Sequence, residues 1–335
     1  MFLFNRLRRA ALGTLLGLSL AVPLSAAAAG PKPVKLGVVT WIGYGPLYVA
    51  ESLDLWKKHG LKVTLQNFTD PALLPGAIMG GALDGGFITY DQLVGQVAKG
   101  DTMRAVMPLD FSDGGDAVVA TTDIKGIAAL KGQKVAFAPL SPSDFLLAFA
   151  LRKHGLKDND IQAVGAGPEA IPAAMASGQV RVGVTYEPMV SQITAMDGGK
   201  RFHVIYSSKQ SPGLLSDVLV FTDKAMKTRP EVIQAVMRGY LDGLEMIRTK
   251  PGEAAKIIGK ALGITEAEVM EQQQTIHALS LAEMLQAFTR SPKPESFHTA
   301  CAAIADILKA KNQIQRLPGC EDTMSTRFIE ALLKK

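Results

Sequence analysis

The sequence predicts an α/β fold with two lobes, the second inserted into the first, each a mainly parallel sheet flanked by helices. Short apolar segments alternate with amphipathic segments at the spacing of strand–helix–strand units, which favours parallel pairing. The alternation occurs in two blocks, one before and one after Ile124, and an extended segment returns at 217–222. The rest of the chain is helical in pattern, and the chain is long enough to bury a large core.

The N-terminal segment has the pattern of a secretory signal sequence. Arg6, Arg8 and Arg9 form a positive start, an apolar run covers 10–24, and small residues follow it. A buried core helix is the alternative, but the run is too short to span a bilayer and its flanks have the order that signal sequences use. We expect a cleaved signal peptide at 1–29 and a mature protein in the periplasm.

Composition limits the class of the protein. The formal charge of +5 falls to about +2 without the three N-terminal arginines, so the basic balance gives no reason to expect nucleic-acid binding. No later segment has the roughly 18 apolar residues that a membrane-spanning helix needs. Cys301 and Cys320 would enter an oxidising compartment, where they either form a disulfide or stay as two buried thiols.

The first block contains a helix whose two ends are marked in the sequence. Pro46 suits the first helical position and Gly60 suits a left-handed C-terminal cap, so a helix is predicted over 46–59. The other predicted elements of this block are a helix at 73–83 and strands at 35–40, 62–68 and 86–90.

The second block begins a separate lobe. Ser141 precedes Pro142 at the start of a predicted helix that ends at Gly155, and Ser141 with Asp144 is similar to a capping box. The other predicted elements are a helix at 169–177 and strands at 134–138, 161–164, 180–186 and 204–207.

The domain boundaries follow from this order. Lobe 1 takes 30–118 plus 217–335, and lobe 2 takes the inserted segment 119–216. The chain would cross between the lobes near 117–122 and again near 217–222. Beyond the second crossing we predict helices at 230–248, 251–262, 295–309 and 323–333, with a capping box at Thr265 and Glu268.

Several short motifs occur in a fixed order behind the signal sequence. They are Trp41-Ile-Gly-Tyr-Gly-Pro, Leu47-Tyr-Val-Ala, Lys58-His-Gly-Leu, Gly80-Gly-Ala-Leu-Asp84, Phe87-Ile-Thr-Tyr90, Asp110-Phe-Ser-Asp-Gly-Gly-Asp116, Leu130-Lys-Gly-Gln-Lys-Val-Ala136 and Val184-Thr-Tyr-Glu-Pro188. This set resembles the nitrate/sulfonate/taurine (NitT/TauT) family of ABC-transporter periplasmic substrate-binding proteins. The likeness covers 35–223 well and the helical C-terminal third loosely.

The resemblance implies a type II periplasmic binding protein, in which a ligand cleft between two lobes closes on a solute by a hinge motion. It implies no enzymatic activity and no cofactor. The partners would be a small-molecule solute and the permease of an ABC importer in the inner membrane, with its ATPase subunit. Closure is a shift of population between open and closed forms, and a monomer leaves the lobes free to move.

The resemblance and the fold together indicate which residues line the cleft. Ligands of α/β lobes bind beyond the carboxyl ends of strands, where helix N-termini expose N–H groups. The residues at such positions, with weaker candidates near the crossovers, are Trp41, Gly43, Tyr44, Thr89, Tyr90, Asp110, Ser112, Ser141, Ser143, Tyr186, Glu187 and Asp217. The histidines show no metal-ligand spacing, and we expect no metal site.

Ordinary structural roles compete with these assignments. Trp41 and Tyr44 can cover a core at its rim. Ser141 can serve only as a helix cap, and Glu187 can be a favourable charge in a first helical turn. Gly43 can be a turn residue.

The charges near the cleft indicate the kind of solute. Acidic residues lie in or beside the candidate segments and no arginine does, so no guanidinium clamp for a carboxylate or sulfonate is visible. We therefore expect a solute with amino, amide or ring N–H groups, whereas the family name points to a sulfonate or taurine-like compound. The acids are Asp91, Asp110, Asp116, Asp144, Glu187 and Asp217.

Two other functions compete with solute delivery. An enzyme of the same fold, which makes a cofactor precursor or resembles a thiaminase, would need a cysteine-rich motif or a nucleophilic cysteine in the cleft. Cys301 and Cys320 lie instead in the helical C-terminal region. A sensor that presents its ligand to a membrane receptor is the second alternative.

Overall fold

Strands and helices alternate along the chain as the sequence predicts. The structure is a computed structural model that describes residues 32–334. Its strands are β1 (Lys32–Val38), β2 (Leu61–Asn67), β3 (Gly85–Thr89), β4 (Met103–Ser112), β5 (Asp116–Thr121), β6 (Lys134–Phe137), β7 (Gln162–Gly165), β8 (Val182–Tyr186), β9 (Phe202–Ser207), β10 (Ser216–Thr222) and β11 (Ile276–Ala278).

The strands form two mixed sheets, around which lobe 1 and lobe 2 are built. The first sheet has the order β11-β4-β10-β3-β1-β2, and the second has the order β7-β6-β8-β5-β9. β1 is parallel to β2 and β3, and β6 is parallel to β7 and β8, whereas β10 and β5 are antiparallel to their neighbours. The predicted two-lobed α/β class is confirmed, with sheets that are mixed rather than mainly parallel.

The antiparallel strands result from where the chain crosses between the sheets. It leaves β4 through 113–115 to begin β5, and it leaves β9 through 208–215 to begin β10. β5 and β10 therefore start at the edge of their sheet that faces the other sheet. Strands that end at this edge are antiparallel to them. The crossovers predicted at 117–122 and 217–222 are wrong, because these segments are β5 and β10; the domain boundaries themselves stay a prediction.

The helices surround both sheets and make up most of the C-terminal third. They are α1 (Gly45–Ser52), α2 (Leu74–Met79), α3 (Tyr90–Lys99), α4 (Pro142–Lys153), α5 (Ile171–Ala176), α6 (Met189–Thr194), α7 (Met196–Gly199), α8 (Asp223–Thr228), α9 (Pro230–Thr249), α10 (Pro251–Leu262), α11 (Glu266–Gln272), α12 (Leu281–Phe288), α13 (Phe297–Ala310) and α14 (Arg327–Leu333).

The helix predicted at 46–59 is interrupted. α1 ends at Ser52, Asp54 adopts a left-handed conformation with φ 52°, and a 3-10 turn continues over 55–59. An apolar spacing of three residues suits both kinds of helix, so the pattern could not reveal the break. Gly60 has φ 75° and closes the turn as a left-handed cap, as predicted.

Five helices were missed, namely α3, α6, α7, α8 and α12, and two of them begin at capping boxes. α3 begins at Tyr90, where we expected a strand to end, and Thr89 forms a capping box with Gln92 at its start. α12 follows a capping box of Ser280 and Glu283. Both boxes have the spacing that marks a helix start, so the signal was present in the sequence.

Apolar side chains form one large cluster and one smaller cluster in the described chain. The larger surrounds the first sheet and continues through α13 and α4 to one face of the second sheet, and the smaller covers the other face. A disulfide joins Cys301 to Cys320. No helix within 32–334 is both long and apolar enough to cross a membrane. The predicted signal peptide, 1–29, lies outside the described residues.

Candidate functional site

The two sheets face each other through the ends of their strands. β1, β3 and β8 end at this junction, and β5 and β10 begin there. Asp110 in β4 is the register partner of Asp217 in β10, and Asp116 in β5 is the register partner of Tyr186 in β8. The junction therefore gathers three aspartates at strand ends, which is where α/β lobes bind ligands.

Asp110 and Asp217 form a buried carboxyl pair. The Tyr44 hydroxyl donates a hydrogen bond of 2.6 Å to Asp217 Oδ1, whereas neither oxygen of Asp110 accepts a hydrogen bond of normal geometry from a described residue, although the Asp217 carboxyl and the Trp41 indole lie beside it. Burial raises the pKa of Asp110 to about 7, and burial followed by the charge of Asp110 raises the pKa of Asp217 well above its usual range. Because two adjacent negative charges repel, we infer that the pair shares a proton near neutral pH.

Two aromatic rings meet across the junction. The ring centroids of Trp41, which follows β1, and Tyr186, which ends β8, lie 5.8 Å apart at an interplanar angle of 88°. Trp41 Nε1 is buried and makes no hydrogen bond of normal geometry in the described part of the chain, although the Asp110 carboxyl lies beside it. A Cβ at Gly115 would lie 2.5 Å from Trp41 Cη2, and a Cβ at Gly43 would overlap Trp41 Nε1. Glycine at both positions therefore gives the indole its space.

Asp116 adds a third buried carboxyl to the junction. Its backbone N–H donates to Ser112 Oγ at 3.1 Å, and burial raises the pKa of its carboxyl to about 8. None of the ion pairs between residues 32 and 334 includes Asp110, Asp116 or Asp217. The sequence pattern indicates Asp116 only as a nearby acid, although the residue occupies the same junction.

Three predicted residues mark helix starts at the junction. Ser141 Oγ accepts from Ser143 N at 3.2 Å and donates to Ala138 O at 2.6 Å, so this hydroxyl is used in capping α4. Thr89 caps α3. Ser143 Oγ is buried and has no partner in the described residues. Of these three hydroxyls, that of Ser143 is the one still available to a ligand.

Ser112 and Glu187 also bond within the protein. Ser112 Oγ lies 2.7 Å from Ser208 Oγ, which links the two crossover segments. Glu187 accepts hydrogen bonds from Ser191 N at 3.0 Å and Ser191 Oγ at 2.8 Å. Burial raises the pKa of Glu187, and both bonds act in the opposite direction. The structure thus favours the helix-start role for Glu187 that the sequence left open.

Tyr90 does not line the junction. Its hydroxyl lies 2.8 Å from Thr323 Oγ1 and donates to Phe297 O at 3.2 Å, and its ring packs on Phe297 with centroids 4.1 Å apart. The prediction for Tyr90 was wrong because the residue begins α3, which directs its side chain into the core of lobe 1.

Asp144 differs from the other predicted acids because it has a cation beside it. Its Oδ1 lies 3.0 Å from Lys311 Nζ, and its Oδ2 accepts from Gln313 Nε2 at 2.9 Å and from Leu140 N at 3.1 Å. Lys311 Nζ also lies 2.8 Å from Asp158 Oδ1. Asp144 therefore forms no capping box with Ser141 and carries no uncompensated charge. No sequence signal linked it to a lysine in a distant segment.

Open space between the lobes lies at the outer edge of the junction. A groove of about 600 Å³ is lined by Thr69 and Asp70 of lobe 1 and by the 165–170 segment of lobe 2, among others. Beside it, Thr40 Oγ1 donates to Glu169 Oε1 at 2.7 Å across the lobes. The aromatic and carboxyl groups of the junction are buried behind this edge. The lobes are therefore in a closed arrangement.

The junction offers a defined set of chemical contacts. Carboxyl oxygens can accept hydrogen bonds or face a cation, the Trp41 N–H can donate one bond, and two rings can pack on a flat group. Such a set of few polar groups within aromatic walls is typical of a small-molecule site. Within 32–334, no three His, Cys, Asp or Glu side chains are grouped so that they could hold a metal ion.

Comparison with known proteins gives the family. A sequence profile described as the NMT1-like family matches residues 27–263, which is well over half of the chain. The chain belongs to the NMT1-like family. This NMT1-like protein is 25% identical over 275 residues to a Brucella abortus (strain 2308) protein named as a binding protein, and the match covers 81% of this chain and 85% of the relative.

Two further likenesses involve proteins named for sulfonates. An Escherichia coli K12 protein named as an aliphatic sulfonates-binding protein is 31% identical over 147 residues, 44% of this chain and 45% of its own. The alkanesulfonate-binding protein SsuA from Xanthomonas axonopodis pv. citri has a TM-score of 0.73 at 19% identity, and the match covers 89% of this chain and 100% of SsuA. The predicted family resemblance and the predicted fold are confirmed.

Other similar proteins are named for different roles. A Haemophilus influenzae Rd protein named for thiamine biosynthesis is 29% identical over 138 residues, 41% of this chain and 44% of its own. The desulfurization enzyme DSZB has a TM-score of 0.62 at 12% identity, covering 90% of this chain and 99% of DSZB. The fold alone therefore does not separate binding proteins from enzymes.

Proposed function

We propose that this NMT1-like protein is the solute-binding component of an ABC importer. It captures a small organic solute between its lobes in the periplasm, closes by a hinge motion, and presents the closed form to an inner-membrane permease that an ATPase drives. It acts as a monomer and catalyses no reaction. Relatives named as binding proteins support this role.

The observation that carries this proposal is the set of unpartnered polar groups at the lobe junction. Asp110 contributes two buried oxygens and Trp41 one buried N–H; the two groups lie beside each other, but none of these atoms makes a hydrogen bond of normal geometry within residues 32–334. A buried polar group left unpaired costs about 1–3 kcal/mol. A solute that supplies the missing partners removes this cost in the closed form alone, and such a difference in affinity is what drives closure.

The charges favour a solute that carries N–H donors. The Asp110–Asp217 pair and the neighbouring Asp116 can accept hydrogen bonds from amino, amide or ring N–H groups. The rings of Trp41 and Tyr186 can pack against a flat or cationic group. A taurine-like solute would offer its ammonium to the acids and its sulfonate to the helix N-termini. A simple inorganic anion offers no donor.

A cysteine-dependent reaction finds no support in the described residues. Cys301 in α13 and Cys320 are bonded to each other, and no described cysteine is free. Both lie in the helical part of lobe 1, whereas a nucleophilic cysteine would have to reach the junction. The likeness to DSZB extends to the fold only.

Thermal denaturation of the mature protein with a panel of solutes tests this function. The panel contains taurine, alkanesulfonates, nitrate, aromatic amides, ureas and aminopyrimidines. A solute present at about one hundred times its dissociation constant stabilises the fold by about 2.7 kcal/mol, which raises the melting temperature by several degrees. We expect a hit among the N–H-bearing compounds, recovered unchanged by mass spectrometry. A hit that is chemically converted, or nitrate as the sole hit, would contradict the proposal.

A further inference from the structure

Helix α13 extends from one lobe to the other. Its N-terminal half is fixed in lobe 1, because Phe297 packs on Tyr90 and the disulfide joins Cys301 to Cys320. Its C-terminal end packs against α4 of lobe 2. The chain itself crosses between the lobes only at 113–115 and 208–215 in the described part, so α13 makes an additional contact between them.

The contact between α13 and α4 has an ionic part. Lys311, directly after α13, places its ammonium group between Asp144 of α4 and Asp158. The side chains of Lys311 and Asp144 are only 11% and 7% exposed. Opening the contact would return both charges to water, so the ion pair fixes how the two segments fit together more than it adds to the cost of opening.

The same contact has an apolar part. Ile307 and Leu308 of α13 and Phe145 and Ala148 of α4 are all buried and belong to one continuous core cluster. The cavity between α3, α4 and the end of α13 measures only about 50 Å³. Separating α13 from α4 would return this apolar surface to water, so the contact resists opening.

The opposite edge of the junction is held weakly. Open grooves flank both edges, about 600 Å³ and 230 Å³ here and about 500 Å³ beside α13 and α4, so the difference lies in the contacts. The side-chain hydrogen bond at this edge is the exposed one between Thr40 and Glu169. An exposed hydrogen bond exchanges with water at little cost. The two edges of the junction therefore differ strongly in how easily they can separate.

We propose that the contact of α13 with α4 is a third connection between the lobes, which stays closed while lobe 2 swings about it, so that a solute enters past Thr40 and Glu169. We call this contact the seam. It consists of Ile307, Leu308, Lys311 and Gln313 on the lobe 1 side and of Leu140, Asp144, Phe145, Ala148 and Asp158 on the lobe 2 side. The solute's route rests on the proposed function; the motion itself can be tested without a solute.

Matched chemical bridges across the two edges test the seam. Ala310→Cys with Asn159→Cys places thiols in the groove of about 500 Å³ beside the seam, one on each lobe. Asp70→Cys with Ala170→Cys places them across the opposite groove. Each folded, oxidised protein is treated with the same short bismaleimide, and the untreated double variants serve as controls.

The readout is acrylamide quenching of tryptophan fluorescence in the unliganded protein. The chain has two tryptophans; Trp41 is 4% exposed at the junction, and Trp56 is 2% exposed in the core of lobe 1, where it bonds Val236 O. Opening exposes Trp41 and leaves Trp56 covered. The Trp41→Phe variant therefore defines the quenching that comes from Trp56 alone.

We expect the bridge across the groove at Asp70 to lower the quenching constant to that of Trp41→Phe, because it holds the lobes closed. The bridge beside the seam should leave the quenching constant of the untreated protein unchanged. Equal loss of quenching with both bridges, or no loss with the bridge at Asp70, would overturn the proposal. No solute is used in this experiment, so its outcome does not depend on whether the protein binds a solute. Failure of the proposed motion and failure of the proposed function can therefore be told apart.

Discussion

Two groups of buried carboxyls lie between the lobes, and they differ in their partners. Asp144 has Lys311 beside it and accepts two further hydrogen bonds. Asp110 and Asp217 are buried to a similar degree, but no described cation pairs with either of them. A buried acid that is paired with a cation links two structural elements. A buried acid without a cation lowers the stability of the unliganded fold, and a ligand that supplies a donor or a cation would remove this cost. The partner, more than burial, separates structural acids from candidate ligand acids.

The largest effect is expected from breaking the compensated group. Lys311→Met keeps the apolar stem and removes the cation, so Asp144 stays buried without it; we expect the free energy of unfolding to fall by about 3 kcal/mol. Urea denaturation measures the change. Lys309→Met is the control, because Lys309 is exposed on the same helix and forms no ion pair with a described residue, and its effect should be below about 0.5 kcal/mol. Equal effects of the two substitutions would refute the role of Lys311.

A smaller effect of opposite sign is expected from the uncompensated group. Asp110→Asn removes an ionisable group and introduces an amide that can donate to Asp217, so the unliganded protein should gain about 2 kcal/mol. Asp144→Asn makes the same chemical change on the compensated carboxyl and should destabilise the protein. Urea denaturation of the two variants compares them directly. If both substitutions destabilise the protein, the distinction between the two groups fails.

The smallest effect expected, counted per pH unit, is a dependence of stability on pH. Burial raises the pKa of Asp110 to about 7 and that of Asp116 to about 8, from an ordinary value of 3.8. The folded chain therefore holds protons that the unfolded chain releases, and the stability from this source is complete below pH 3.8 and is lost as the pH rises through about 7 to 8.

Melting temperatures measured from about pH 6 to pH 8.5 test this dependence, and we expect stability to fall by about 1 to 2 kcal/mol per pH unit. The Asp110→Asn variant should show a shallower fall, because one of the two titrating carboxyls is gone. A melting temperature that does not fall over this range would mean that ionising these carboxyls costs the folded chain nothing.

Local sequence signals predicted most of the fold. Pro142 after Ser141 marked α4 correctly, and Thr265 with Glu268 marked the start of α11. These signals are reliable because a cap or a first-turn proline acts within a few residues of itself. The break at Asp54 escaped prediction, since the apolar spacing around it is shared by α and 3-10 helices.

The site was predictable only in outline. Strand ends indicated Trp41 and Tyr186, because the position of ligand sites in α/β lobes follows from topology. Asp110 and Asp217 were weaker candidates, carried over from the family resemblance as residues near the crossovers. Which acids are compensated could not be predicted, since Lys311 reaches Asp144 only through tertiary packing. The sequence also could not show that Tyr90 lies outside the site, because the direction of its side chain depends on the helix that it begins.

The most direct test of a solute site built on uncompensated acids is the affinity of Asp110→Asn for the panel compound that stabilises the wild type. Isothermal titration calorimetry would compare it with Asp306→Asn, which changes an exposed acid on α13. We predict that Asp110→Asn binds at least about tenfold more weakly, equivalent to about 1.4 kcal/mol, while its unliganded form is more stable. Asp306→Asn should bind as the wild type does. Unchanged affinity in Asp110→Asn would contradict the assignment of this carboxyl to the solute.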